Sequence, residues 1–207
     1  MLSGYVIGRD FEQRRIDRLL LGLCRNGLPA TLTLQVRLSE SPEAVIALAL
    51  RRLVELSYTP SPLAGEMARA LLQSQQPDGS FDTDPLSTAA VICALGALLG
   101  AVGGRAGTTQ QQELEHGRSQ ALFALAAMQC DDGLFDFELD RTEQDRALVA
   151  AFILYLLGGD QAFRQIVRFA DLSRWFEQNQ DELDQATFEL WQLSSTAADA
   201  RIRRSAA

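Results

Sequence analysis

A seven-residue phrase occurs twice in this chain and limits its architecture more than any other feature. Gln75-Gln76-Pro77-Asp78-Gly79-Ser80-Phe81 and Gln129-Cys130-Asp131-Asp132-Gly133-Leu134-Phe135 both read Gln-x-x-Asp-Gly-x-Phe, with their glycines 54 residues apart (133 − 79). Each copy follows an apolar run of helical period and precedes another. Glycine after aspartate supplies the positive φ that a tight reversal needs and that other residues resist. The phrase therefore predicts the corner of a helical hairpin, and its recurrence predicts a stack of them. The corner residues are Gln75, Asp78, Gly79 and Phe81, then Gln129, Asp132, Gly133 and Phe135.

Four hairpins account for nearly the whole chain, at about 9–58, 64–100, 117–158 and 160–198, in one repeat domain. In the second, Met67, Leu71 and Leu72 lead to the corner, and a helix after Pro85 runs through Val91, Ile92, Leu95 and Leu98. In the third, Leu122, Leu125 and Met128 lead to the corner. Thr142-Glu143 then opens a run from Ala147 to Gly159 without charge. Both second helices are apolar nearly all round, so other helices must enclose them. The first hairpin carries Phe11, Ile16, Leu19 and Leu23, turns at Asn26-Gly27, and restarts at Ser41-Pro42, a cap followed by proline at the first helical position. The fourth, with outer helix Asp160 to Asn179, lacks the glycine corner. Between the helices of the first hairpin, Thr31 to Leu38 alternates polar and apolar residues, the period of a strand. A small β ribbon with Tyr5-Val6-Ile7, a pairing with a second copy, or an extended loop over the core are the three readings of that segment.

All 19 basic residues are arginines, yet the net charge is −8, which disfavours a nucleic-acid partner. The basic cluster Arg201, Arg203 and Arg204 suits the negative end of a last helix. Cys24, Cys93 and Cys130 are odd in number and lie in apolar helical surroundings, as reduced buried thiols do. Met1 to Tyr5 has neither the charged start nor the apolar core of a signal peptide, and a cytoplasmic location is expected. Ser87 to Gly104 is uncharged over 18 residues, but its glycines and hydroxyls favour an enclosed helix over a membrane span.

A helix, the Gln-x-x-Asp-Gly-x-Phe corner, and a helix opening near Thr88-Ala89 together resemble the repeat of squalene and hopene cyclases and of protein prenyltransferase β subunits. The likeness covers residues 66–100 and 118–158, and the flanks by analogy. It implies an all-α fold in which hairpins wind into an α/α toroid around an apolar centre. Four hairpins, where the family uses five or more, imply an incomplete toroid: an arc whose open end invites a protein partner or a second copy of the chain.

The chemistry of that family is mostly missing. The single histidine, His116, sits in a glutamine-rich stretch, Thr108 to His116, read as a solvated loop without zinc partners. No metal site and no cofactor are expected. Asp82-Thr83-Asp84-Pro85 approaches the Asp-x-Asp-Asp acid of class II cyclases, with proline in place of the last carboxylate. Asp82 and Asp84 are thus the weak catalytic candidates, against a reading as loop acids at a helix start. Asp136, Glu138 and Asp140 occupy the comparable loop of the third hairpin and are candidate binding residues. Trp175 and Trp191, near Phe176 and Phe188, could cradle a lipid, although aromatic side chains at helical spacing are ordinary core. The sequence names no reaction. It favours a non-catalytic binding or scaffolding module, with an isoprenoid-binding protein or degenerate terpene cyclase relative, using an apolar cavity, as the alternative.

Overall fold

A computed structural model of the chain describes residues 34, 37, 38, 40–59, 61–102, 109–136 and 143–194. The fold is all-α. Among the described residues, the helices from Pro42 onward are α1 (Pro42–Glu55), α2 (Pro62–Ser74), α3 (Pro85–Val102), α4 (Thr109–Ala127), α5 (Glu143–Leu157), α6 (Gln161–Ile166), α7 (Phe169–Asn179) and α8 (185–194).

Local chemistry explains most of the helix boundaries. Ser41 accepts a hydrogen bond from the Ala44 amide and Ser61 one from the Ala64 amide, each followed by a proline at the first helical position. At the end of α1, the Ser57 amide donates to Val54 and the Tyr58 amide to Leu53, with Ser57 at φ 61°, the pattern of a Schellman stop. Asp84 caps α3 by accepting from the amide and hydroxyl of Ser87.

The helices pack in two layers. In one, α3 lies between α1 and α5; in the other, α4 touches both α2 and α6. Across the layers α1 meets α2 and α3 meets α4. The first layer is the more apolar. From Pro85 through Ile92 every residue of α3 is buried, and from Ala147 through Leu157 only Tyr155 is partly exposed. At about 25 cal/mol per Å² of apolar surface withdrawn from water, such enclosed helices supply much of the force for folding. By length and composition α3 alone among the described helices could cross a membrane, but most of it is covered by α1, α4 and α5.

Three expectations need correction. Leu34, Arg37, Leu38 and Glu40 are helical, so the alternating segment 31–38 is no strand where it is described. Leu34 and Leu38, four residues apart, are both buried, so a helical face orders these apolar residues. Tyr5-Val6-Ile7 lies outside the described residues. The glutamine-rich stretch is not a loop: α4 begins at Thr109 and carries His116 on its exposed side. Gln, Glu and Leu are good helix formers, and a run of them needs no apolar stripe to coil. The outer helix expected from Asp160 to Asn179 is broken between Ile166 and Phe169. Asn26-Gly27, Cys24 and the C-terminal arginines also fall outside the described residues, while Cys130 and Cys93, whose thiol donates to the Leu156 carbonyl, are half-buried and outside any disulfide.

Candidate functional site

The two repeated phrases adopt one geometry. In each, the glycine amide closes a reversal onto the residue after the glutamine, Gly79 to Gln76 and Gly133 to Cys130, both at 2.9 Å. The aspartate accepts from the amide two residues on, at 2.9 Å for Asp78 and 3.0 Å for Asp132. Both glycines have positive φ, 90° and 91°, and both phenylalanines are fully buried. Hydrogen bonds from the Ser80 hydroxyl and amide hold the Asp78 carboxyl below the usual range.

Each glutamine then reaches past its own corner, Gln75 into α4 and Gln129 to the N-cap of α7. Gln75 Nε2 donates to the carbonyl of Gly79 at 2.9 Å and to that of Gly117 at 2.8 Å. Gln129 Nε2 donates to Gly133 and, at 3.3 Å, to Arg168, whose amide returns a bond to Gln129 Oε1 at 2.8 Å. The glycines abut the same helices. A Cβ on Gly79 would stand 2.6 Å from the Gln120 carbonyl oxygen, and one on Gly133 would stand 2.8 Å from the backbone between Asp171 and Leu172.

Behind the first corner, five polar side chains from three segments meet. Asp84 Oδ1 receives Arg37 at 2.6 Å while its other oxygen caps α3. Asp82 Oδ2 accepts from the Ser41 hydroxyl at 2.5 Å, so one serine caps α1 and holds the strap that leads into α3. Glu43, in the first turn of α1, lies beside Asp82 and near the Ser74 hydroxyl of α2. Burial and then the neighbouring Asp82 push the Glu43 carboxyl up from its ordinary value, and its Oε2 atom is buried without a hydrogen-bond partner. The strap itself is strained, since Asp82 and Thr83 have φ of 53° and 50°. Such left-handed conformations cost non-glycine residues roughly 1–2 kcal/mol each.

The structure thus brings Asp82 and Asp84 into one cluster and adds Arg37, Ser41 and Glu43. Ser41-Pro42-Glu43 is legible as a helix start, but nothing in its spacing places it against a corner forty residues later. Asp136 is exposed, and Glu138 and Asp140 lie outside the described residues. Trp175 and Trp191 both contact Phe176, the first edge-on at 5.2 Å and the second stacked at 5.7 Å, with Phe188 edge-on to Trp191. This aromatic group packs α7 against α8, and Phe176 at its centre is fully buried. Among the described residues no three His, Cys, Asp or Glu side chains gather as metal ligands would. Comparison with known proteins adds nothing to this geometry: no family model, curated protein or solved structure matches the chain.

Proposed function

We propose that the chain is a non-catalytic binding or scaffolding module, built as an incomplete α/α toroid of the prenyltransferase and terpene-cyclase type, that associates with a second copy of itself. In this reading α1, α3 and α5 form the inner wall and α2, α4 and the α6–α7 pair the outer one. The two matching corners and the pairing of helices within and across layers support it.

The observation that carries the binding role is an apolar corner between α1 and α2. Leu56, Tyr58 and Leu63 stand there 49%, 61% and 38% exposed within eight residues of chain. Isolated exposed apolar side chains are ordinary, but three of them within one helix junction favour a contact surface. The competing reading, an isoprenoid-binding or cyclase-like protein, needs Asp82 or Asp84 free to meet an apolar ligand. Asp84 is tied to Arg37 and Ser87, and Asp82 to Ser41.

Light scattering at micromolar concentration tests the proposal. A dimer is expected for the natural chain and a monomer for Leu56→Ser/Tyr58→Ser, with unchanged far-ultraviolet circular dichroism. A clean monomer of 22.7 kDa from the unaltered protein overturns it.

A further inference from the structure

We infer that Glu43 and Asp82 form a proton-operated latch that clamps the start of α1 to the strained strap before α3. Two ionised carboxylates offer each other only acceptors. A proton on one of them turns the pair into a donor and an acceptor, and the buried Glu43 Oε2 is the atom left in want of a partner. The Glu43 amide and the Ser74 hydroxyl lower the Glu43 carboxyl again, but burial and Asp82 outweigh them. Asp84, the other acid on the strap, is bound by Arg37 and by the Ser87 amide and hydroxyl. The Ser41 hydroxyl donates to Asp82 and accepts from Ala44, and α2 contributes only the neutral hydroxyl of Ser74.

The strap is the element that such a latch controls. Asp82 and Thr83 are held at positive φ with no glycine to make this easy, so the corner persists only while its neighbours hold it. With the proton in place, Glu43, Asp82 and Ser41 lock the strap to α1. When Glu43 ionises, its charge repels Asp82, and the strap keeps only the Ser41 hydroxyl and the bonds of Asp84 against relaxing to negative φ. Because the folded state favours protonated Glu43, the latch's stabilisation is complete below the ordinary glutamate range. It fades as pH rises through the raised folded value.

The test uses the full chain with Glu43→Gln and Asp82→Asn variants, each keeping the side-chain shape and supplying a permanent donor. Carboxyl-carbon NMR titration of the natural protein should show Glu43 titrating above the ordinary glutamate range, and Asp82→Asn should move it down toward that range, burial keeping part of the rise. Thermal melting of Glu43→Gln should match the natural protein at pH 4 and exceed it at pH 8, by about 2–4 °C for a chain of this length. Glu43 titrating normally in the unaltered protein, or a melting offset that does not vary with pH, overturns the latch.

Discussion

At the scale of single residues, glycine appears at two corners for two separate reasons. Gly79 and Gly133 need positive φ, and they also allow α4 and α7 respectively to approach within contact of their backbone. Alanine fails on both counts, and the obstructing atoms at each site are main chain, which cannot swing aside. Gly79→Ala and Gly133→Ala should each lower stability by about 3 kcal/mol in urea unfolding, the sum of a left-handed penalty and an overpacking cost. Gly100→Ala is the control. It lies inside α3 with nothing near its Cβ direction, and should gain about 0.5–1 kcal/mol. The glycine requirement was readable from Asp-Gly after a helical run. The second reason was not, because close approach is a property of a partner more than thirty residues away.

At the scale of elements, the glutamines join one hairpin to the next. Gln75 is half-buried and spends its amide nitrogen on two carbonyls; Gln129 is buried and uses its oxygen as well. Gln129→Ala should therefore cost more, about 2–3 kcal/mol against about 1–2 kcal/mol for Gln75→Ala, because it strands the Arg168 amide in addition to the carbonyls. Chemical denaturation of the two variants side by side checks the order. Helix identity and the enclosure of α3 and α5 were legible because a long uncharged run has few other fates. The polar cluster behind the first corner was only half legible. Asp82 and Asp84 stood out as a near-motif, whereas Ser41 and Glu43 come from a helix start with nothing to tie it to that corner, and Arg37 from a segment whose alternation pointed to a strand. Local periodicity lost there to a buried helical face, Leu34 with Leu38.

For the whole molecule, burial is uneven along the stack. α3 and α5 are enclosed, while α6 buries only Phe163 and α7 only Leu172 and Phe176. Local opening follows such differences. Hydrogen exchange should find the slowest amides in α3 and α5 and the fastest helical ones in α6 and α7. Uniform protection across the four would contradict this packing hierarchy.

The break between α6 and α7 bears on how such a stack tolerates changes in length. Gln75 finds its second carbonyl 42 residues on, in α4, and Gln129 finds its own 39 residues on, at the N-cap of α7, three fewer. The coil is interrupted at Val167-Arg168, and α7 meets Gly133 as α4 meets Gly79. The interruption frees a main-chain N–H, and the spare lone pair of a neighbouring amide takes it up. Glutamate at position 129 would keep that acceptor and forfeit the donor, so the joint needs a side chain that can both give and receive.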